Sequence, residues 1–394
     1  MLTAVAISNY RSLRSIVIPL QNLNIVTGAN GSGKSNFYRA LRLLSDTAQG
    51  RVIPSLAREG GLQSTLWAGP ESISRSVRRR EYAVEGTPRQ KPVTLQLGFA
   101  SDDLSYCIDL GLPRVSKDPN NPGRLAAFAH DPEIKRECIW HGPVLRPSTL
   151  LVDRNGPLVR IRADDGGWNV ATQSLATFDS MMTHVADPQN APETLILRES
   201  IRAWRFYDHF RTDIEAPARA SHIGTRTPIL ADDGSDIAAA IETIRDIGDA
   251  KVLAAAVADA FPESELSINH SEGRFTLLMK QHGLLRPLAA AELSDGTLRY
   301  LLWIAALLTP RPPVLMVLNE PETSLHPDLL APLARLIARA AEKTQIVVVT
   351  HAAQLVAALR EHRSASITLE KSFGETRITE HLELEVPPWH WPSR

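Results

Sequence analysis

Short apolar runs alternate with polar loops along this chain, a pattern typical of an α/β protein. Residues 1–22 alternate apolar and polar positions, which predicts a hairpin, and Leu23–Thr27 is a β-branched run that predicts a buried strand. A glycine-rich segment follows, and residues 36–44 then place their apolar side chains at helical spacing. The N-terminal region therefore predicts a strand, a glycine loop and a helix in that order.

The middle of the chain has a different pattern. Residues 93–99, 104–110 and 158–162 predict strands separated by Pro, Gly and Asn clusters, so we expect an antiparallel β-subdomain over residues 61–170. Helical spacing returns from about residue 172, and it predicts an inserted helical region over residues 171–284.

The last third returns to alternating helices and strands. Apolar runs at residues 314–318 and 346–349 predict strands, and each follows or precedes a helical pattern. Strands that are apolar throughout are covered on both faces, as in a mostly parallel sheet. We therefore expect the two ends of the chain to share one sheet, in a discontinuous core of residues 1–60 and 285–385.

Composition narrows the class of protein. The 394 residues are 43% hydrophobic and 22% charged, which is enough apolar material for a sizeable core. A net charge of −1 lacks the basic excess of a chain that wraps nucleic acid, so any such surface must be local. Cys107 and Cys138 predict neither a disulfide framework nor a thiolate metal site and are expected to be core residues. The N-terminus does not resemble a signal peptide, so we expect a cytoplasmic location.

Residues 28–35, the phosphate loop, fit the pattern G-x-x-x-x-G-K-S between the predicted strand and helix. Glycines allow backbone N–H groups to surround phosphates at a helix N-terminus, which favours anions. Lys34 is predicted to reach the β- and γ-phosphates of ATP and Ser35 to hold Mg²⁺. The positions predicted to contact phosphate are Gly28, Asn30, Gly31, Gly33, Lys34, Ser35 and Asn36.

A polar pair ends the strand at residues 314–318, where P-loop enzymes place one metal-holding and one water-activating carboxylate. Glu320 is predicted to be the general base. Asn319 stands where the pattern has Asp, and its amide oxygen can accept from Mg²⁺-bound water but brings no charge, which predicts weaker Mg²⁺ binding or slower turnover. The alternative interpretation of Glu320 and Glu322 is an acidic pair that starts a helix.

Two further elements suggest nucleotide chemistry. Residues 293–297, the signature segment Leu-Ser-Asp-Gly-Thr, precede a predicted helix and form a candidate anion site. Alone, this pattern is typical of a helix cap with Ser294 capping and Gly296 incidental, but its place before the acidic strand favours a nucleotide role. His351 follows a strand at the carboxyl edge of the sheet, where it is predicted to sense the γ-phosphate; the plainer interpretation is a surface or capping histidine.

These segments, in this order, resemble the ABC-type ATPase heads of the SMC and RecF group. They are more closely similar to a bacterial single-head branch of predicted AAA-type ATPases, related to the ATPase part of OLD-family proteins. Residues 7–12, 204–207, 228–234 and 292–300 also resemble that branch. The resemblance implies that Arg11 touches nucleotide phosphate and that Gln63 is the candidate for the glutamine that senses Mg²⁺.

The resemblance also implies that ATP on one copy is capped by Ser294 and Gly296 of a second copy, which gives a homodimer in the ATP state. Hydrolysis would then reopen the dimer. Two positions depart from the pattern. Asn319 replaces Asp, and residues 325–327 are Leu-His-Pro where transporter-type heads carry a loop that ends in Asp.

A head of this kind does not define what it acts upon. No membrane span is visible in the sequence, which argues against transport. DNA repair, DNA maintenance or phage defence is expected from the resemblance, and a basic cluster predicts either DNA contact or a solvated face interrupted by Glu81 and Glu85. The cluster contains Arg75, Arg78, Arg79, Arg80, Arg89 and Lys91. The alternatives are a regulatory subunit that controls a separate effector protein, such as a nuclease or toxin, and a nucleotide sensor with negligible turnover.

Overall fold

The computed structural model describes residues 1–70, 92–113, 117–118, 121–125, 127–185, 187–381 and 388–394. The basic cluster of residues 75–91 lies outside the described residues. The chain packs into two compact units. The first contains Met1–Gln21, Gly28–Ala203 and Ile367–Arg394, and the second contains Asn22–Thr27 and Trp204–Ser366.

Helices and strands both contribute, as the α/β class requires. The strands are β1 (Leu2–Tyr10), β2 (Leu13–Pro19), β3 (Leu23–Thr27), β4 (Leu95–Ser101), β5 (Leu104–Gly111), β6 (Lys117–Asp118), β7 (Asn121–Leu125), β8 (Glu133–His141), β9 (Leu150–Asn155), β10 (Leu158–Arg162), β11 (Trp168–Thr172), β12 (Arg205–Tyr207), β13 (His222–Ile223), β14 (Glu265–Ser271), β15 (Arg274–Lys280), β16 (Leu288–Ala289), β17 (Leu315–Asn319), β18 (Gln345–Val349), β19 (Ala365–Ser372) and β20 (Glu375–His381). The α-helices are α1 (Lys34–Thr47), α2 (Val52–Arg58), α3 (Leu62–Thr65), α4 (Met181–His184), α5 (Pro192–Arg202), α6 (Ile237–Ile247), α7 (Ala250–Ala260), α8 (Asp295–Leu307), α9 (Leu330–Ala340) and α10 (Ala353–Arg360). Short 3-10 helices span Pro217–Arg219, Ala290–Glu292 and Pro327–Leu329.

An eight-stranded antiparallel sheet forms the centre of the first unit, in the order β11-β10-β9-β8-β5-β4-β1-β2. Strand β5 is buried along its whole length, so both faces of this part of the sheet are covered. The predicted antiparallel β-subdomain is therefore confirmed as part of the fold, and the N-terminal hairpin β1–β2 belongs to the same sheet.

A fully buried ion pair lies inside the first unit. Arg154 Nη1 donates to Glu137 Oε2 at 2.6 Å, and neither side chain is exposed to solvent. The other acceptor positions of Glu137 are also used, by the Tyr106 hydroxyl, the Ser180 hydroxyl and the Met181 N–H. Burial first, and then the Glu137 charge, raise the pKa of the Tyr106 hydroxyl. This network joins β5, β8 and β9 to the start of α4.

Cys107 and Cys138 are buried core residues, as predicted, and both are free thiols. They lie directly opposite each other on β5 and β8. The described C-terminal segment packs onto the same unit. The Trp389 and Trp140 rings meet edge to face, and their centroids lie 5.6 Å apart. The sequence separation of the two cysteines gave no sign that the sheet pairs them.

Four parallel strands form the main sheet of the second unit, in the order β12-β17-β18-β3. Ile25, Leu318 and Val348 are completely buried in it, and helices α6 to α10 contribute to the same apolar core. The predicted mostly parallel sheet is thus confirmed. It brings β3, from the N-terminal end of the chain, beside β18, as expected for ends that share a sheet.

Residues 171–284 contain helices α4 to α7 and, in addition, strands that the helical pattern did not predict. Strand β12 extends the parallel sheet, while β13, β14 and β15 form a small antiparallel sheet that β16, just beyond residue 284, also joins. Every side chain of β14 is exposed or half-buried, and only Leu266 and Ile268 mark its apolar alternation, which is too short a pattern to predict a strand.

The boundaries of the two compact units differ from the predicted domain boundaries. Strand β3 belongs to the second unit because it pairs with β18, whereas the phosphate loop and α1 belong to the first unit, where α1 contacts β1 and β4. In the part of the chain that the structure describes, no helix is long and apolar enough to cross a membrane.

Candidate functional site

The phosphate loop connects β3 to α1 and requires glycine at two positions. Gly28 and Gly33 have φ values of 149° and 112°. A Cβ atom at Gly28 would lie 2.2 Å from the Leu369 carbonyl oxygen, and one at Gly33 would lie 2.2 Å from Thr376 Oγ1. Nothing lies within 4 Å of a Cβ built at Gly31, which has φ 78°. The loop is thus packed tightly at both ends and open at its tip.

Polar groups of the loop fit an anionic ligand. The buried Lys34 Nζ donates to the carbonyl oxygens of Gly28 at 2.6 Å and Ala29 at 3.1 Å. Ser32 Oγ is buried and has no hydrogen-bond partner among the described residues. Ser35 is exposed in the first turn of α1, and Asn30 is exposed at the tip. A phosphate would provide the acceptor that the Ser32 hydroxyl lacks.

A chain of hydrogen-bonded polar side chains supports the phosphate loop. Asn36 Nδ2 donates to Ser12 Oγ at 2.8 Å, and Ser12 Oγ lies 2.7 Å from Thr376 Oγ1. Thr376 Oγ1 in turn donates to the Ser32 carbonyl oxygen at 2.8 Å. The Asn36 amide therefore holds the loop in position. Thr376 lies far away in sequence and carries no motif, so sequence reasoning missed it.

Arg11 and Gln63 have partners in the same unit. Arg11 forms an ion pair with Glu59 at 2.6 Å, and the Tyr10 hydroxyl donates to both oxygens of that carboxylate. Burial alone would lower the pKa of Arg11, but its bonds to Glu59 and Tyr10 raise it. Gln63 Nε2 lies 3.2 Å from His130 Nδ1 on an exposed surface. The nucleotide roles of Arg11 and Gln63 therefore stay predictions from the resemblance.

Residues 319–324, the acidic loop, begin at the last residue of β17 in the second unit. Glu320 has a left-handed φ of 48°, which costs about 1–3 kcal/mol for a residue with a side chain and persists where the surroundings fix it. Its N–H donates to the Val349 carbonyl oxygen at 2.7 Å. This turn places Glu320 Oε1 3.2 Å from His351 Nδ1. The structure therefore brings together the predicted general base and the predicted phosphate sensor.

Glu322 is a second carboxylate beside the same nitrogen of His351. Its side chain is only 8% exposed, and Oε1 accepts from the Thr350 hydroxyl at 2.5 Å and lies 3.7 Å from His351 Nδ1. Glu322 Oε2 is buried without a hydrogen-bond partner in the described chain. Turns follow Glu320 as far as the 3-10 helix Pro327–Leu329, so the acidic pair does not start an α-helix. Asn319 lies half-buried at the end of β17.

The signature segment begins helix α8. Ser294 Oγ accepts from the Thr297 N–H at 3.3 Å, so the capping role that the pattern suggests is real. The Ser294 residue is nevertheless exposed. A Cβ atom at Gly296 would lie 3.3 Å from the carbonyl oxygen of Ser324, at the end of the acidic loop. Glycine here allows the signature segment and the acidic loop to approach closely.

Two arginines near the signature segment, the half-buried Arg219 and the buried Arg299, were missed by sequence reasoning. Arg219 follows an Ala-Pro-Ala loop and carries no motif signal. Arg299 belongs to residues 292–300, which resemble the single-head branch, but nothing in the sequence indicates that its side chain turns inward.

The parallel sheet, the phosphate loop between β3 and α1 and the acidic end of β17 together define an ABC-type P-loop head. A family model described as an AAA domain, putative AbiEii toxin, type IV toxin–antitoxin system, matches residues 151–357, which is more than half of the chain. The chain therefore belongs to this AAA family. A second model, described as an AAA ATPase domain, matches residues 1–125. No curated protein matches the chain.

Solved structures that are similar to this chain include SMC heads. An SMC head bound to the C-terminal winged-helix domain of ScpA is 13% identical, with a TM-score of 0.52 over 97% of this chain and 98% of the other. SMC heads from Thermotoga maritima and Pyrococcus yayanosii are each 12% identical, with TM-scores of 0.44 and 0.48. They cover 97% and 98% of this chain, and 99% and 98% of their own chains. Identity at this level shows the fold alone, so the SMC-like, RecF-like head fold is confirmed.

Proposed function

We propose that this chain binds Mg-ATP on the phosphate loop and hydrolyses it. The observation that carries this proposal is the loop itself, in which two glycines without room for a side chain bring a buried lysine and an unpartnered hydroxyl together. The AAA family and the SMC-head fold support ATP binding and hydrolysis in general.

In this proposal Lys34 exchanges its two carbonyl acceptors for β- and γ-phosphate oxygens. Ser35 and Asn319, with Gln63 as a third candidate, would hold Mg²⁺, which supplies positive charge to the phosphates when bound. Glu320 accepts a proton from the attacking water, and His351 faces the γ-phosphate. Because Asn319 brings no charge, we propose that turnover is slow.

We further propose that two copies close around ATP and that Ser294 and Gly296 of one copy complete the site of the other. Two exposed apolar side chains adjoin residues that bind the signature segment or its neighbours, and they support a surface that becomes covered. Leu285 and Ile214 are 107% and 90% exposed. Leu285 is next to Arg286, and the Arg286 guanidinium binds Glu292, which directly precedes the signature segment. Ile214 is next to Asp213. Arg219 donates both to the Asp213 carbonyl oxygen and to the Leu293 carbonyl oxygen.

For the biological role we propose DNA repair, DNA maintenance or phage defence, with DNA as the partner. The alternative is an ATP-dependent regulatory or sensor subunit that controls a separate effector protein without binding DNA, and the toxin–antitoxin description of the matched family favours it. A salt-dependent shift of DNA in a gel would support the first role. Purification of the chain with a fixed partner protein would support the second. The cytoplasmic location stays a prediction from the sequence.

The first experiment measures the mass of the Glu320→Gln variant in solution with and without Mg-ATP. This variant should bind ATP but lose about 10²-fold or more in turnover, because a general base contributes about 10²–10⁴-fold. We expect a shift from monomer to dimer that depends on ATP. Glu342→Gln, an exposed carboxamide substitution in the same unit, is the control and should leave turnover unchanged. ATP binding without any change in mass would refute the proposed clamp.

The sensor hypothesis has a separate test. If Asn319 limits turnover by lacking charge, Asn319→Asp should bind Mg²⁺ more tightly and hydrolyse ATP faster. Ordinary Mg²⁺-dependent turnover by the natural protein, abolished in Glu320→Gln, would rule out a sensor without hydrolysis.

A further inference from the structure

Arg219 donates both to the backbone around the signature segment and to the backbone of Thr212 and Asp213. Its side chain is 10% exposed, and its Nη2 atom lies 2.6 Å from Asp295 Oδ1. The Nη1 atom donates to the carbonyl oxygens of Ala290 (3.1 Å), Ala291 (3.1 Å) and Leu293 (2.8 Å). One planar guanidinium therefore fixes the path of the chain into α8, which a lysine could not do with its single nitrogen.

Arg299 binds the acidic loop. It lies one turn further along α8 than Asp295, and its Nη1 donates to the Thr323 carbonyl oxygen at 2.8 Å. The residue is 5% exposed, and no carboxylate in the described chain lies within ion-pair distance of it. Its Nε atom is buried without a hydrogen-bond partner there. Burial lowers the pKa of Arg299 and the nearby charge of Asp295 opposes this shift, so the charged form also depends on the neutral acceptors that the guanidinium contacts.

Thr212 joins the two arginines. Its hydroxyl accepts from Arg299 Nη2 at 3.0 Å, and its carbonyl oxygen accepts from Arg219 Nη2 at 2.8 Å and Nε at 2.9 Å. Thr212 is 3% exposed, so these bonds are shielded from water. A continuous hydrogen-bonded path, buried at Arg299 and Thr212, therefore runs from Thr323 to Arg219 and on to the signature segment.

We infer that Arg219, Thr212 and Arg299, the arginine bridge, couple the two nucleotide sites of the ATP-bound dimer. This inference rests on the proposed function. In each copy the acidic loop serves that copy's own ATP, whereas the signature segment caps the ATP of the second copy. The bridge connects these two elements within one copy, so a change at one ATP is passed to the other.

The bridge makes hydrolysis cooperative in ATP. Two coupled sites give a Hill coefficient above 1 with a ceiling of about 2, and uncoupled sites give about 1. The members of the bridge are positioning residues, since they act through the loops that they hold. Their removal should therefore lower kcat and the Hill coefficient more than it changes KM.

Thr212→Val is the sharpest test because it removes the hydroxyl and keeps both the shape and the carbonyl oxygen. We expect kcat to fall about tenfold, the size expected for one hydrogen bond to a charged group, and the Hill coefficient to fall to about 1. Thr212→Ser restores the hydroxyl and should restore both values. Arg219→Lys should reproduce the loss from the other end of the bridge.

Thr243→Val is the matched control. Thr243 is also 3% exposed in the same unit, and its hydroxyl binds Ala239 and Thr227 rather than the bridge. It should leave the Hill coefficient unchanged. Equal losses in the two valine variants, or a natural protein with a Hill coefficient of 1 that still dimerises with ATP, would overturn the coupling alone. The absence of ATP-dependent dimerisation in Glu320→Gln would instead overturn the proposed function on which the coupling rests.

Discussion

Replacement of Glu322 by glutamine tests whether the carboxylate behind His351 positions it for turnover. The substitution keeps the size of the side chain and an oxygen that can accept from the Thr350 hydroxyl. It removes the negative charge 3.7 Å from His351 Nδ1. It also places an amide donor where the buried Oε2 has no partner among the described residues.

The expected effect follows from these contacts. A hydrogen bond to a charged acceptor is worth about 1 kcal/mol more than one to a neutral acceptor. The substitution affects the contacts of Glu322 with Thr350 and His351, so the interaction energy that positions His351 falls by about 1–2 kcal/mol. Because the side chain is only 8% exposed, solvent screens little of this. If the loss appears in the transition state, kcat falls about tenfold with little change in KM.

Steady-state ATP hydrolysis of the purified variant provides the measurement. The control is Asp328→Asn, which removes a carboxylate 3.3 Å from His326 Nδ1, where both side chains are highly exposed. That surface pair should contribute almost nothing. A Glu322→Gln variant with unchanged kcat, or a control with an equal loss, would refute a positioning role for Glu322.

Three further predictions concern stability, titration and dimerisation. Glu137→Ala should cost about 3–5 kcal/mol by urea denaturation of the first unit, because it leaves Arg154 buried and unpaired; a loss below about 1 kcal/mol would contradict this. The bidentate Arg286 pair, with the Ala289 N–H, holds the pKa of Glu292 at about 2. Because the pKa of Glu292 is lowered in the folded state, this pair stabilises the fold fully above the ordinary pKa of a glutamate, and the stabilisation is lost as pH falls towards 2. NMR titration of the Arg286→Ala variant should show a higher pKa for Glu292. Leu285→Ser should weaken the ATP-dependent dimer without changing ATP binding, as measured by sedimentation; an unaltered dimer would place the interface elsewhere.

Sequence patterns were sufficient for elements that long apolar runs define. Strand β3 has the predicted bounds, and β18 differs from its prediction by one residue, since both strands are largely buried and rich in β-branched residues. The phosphate loop and the acidic loop were found because their residue types are dictated by local geometry and chemistry. These are properties that a few neighbouring residues can specify.

Contacts between distant segments could not be found in this way. Arg219 is an ordinary loop arginine until the fold places the Leu293 carbonyl oxygen 2.8 Å from it. Thr376 supports the phosphate loop from a hairpin near the other end of the chain. A single side chain leaves no periodic pattern in the sequence, so its hydrogen-bond partner can be identified only when the pairing of the strands is known.

The pairing of β3 with β18 also determines when β3 can join its sheet during synthesis on the ribosome. Leu23 lies opposite Ile346, so β3 leaves the exit tunnel more than 300 residues before its neighbour has been made. At about 5–20 residues per second, this interval lasts roughly 15–60 s. During that time an apolar strand and the glycine loop attached to it have no sheet to join. The phosphate loop is among the first parts of the protein to be synthesised, yet the parallel sheet that contains β3 is completed almost last.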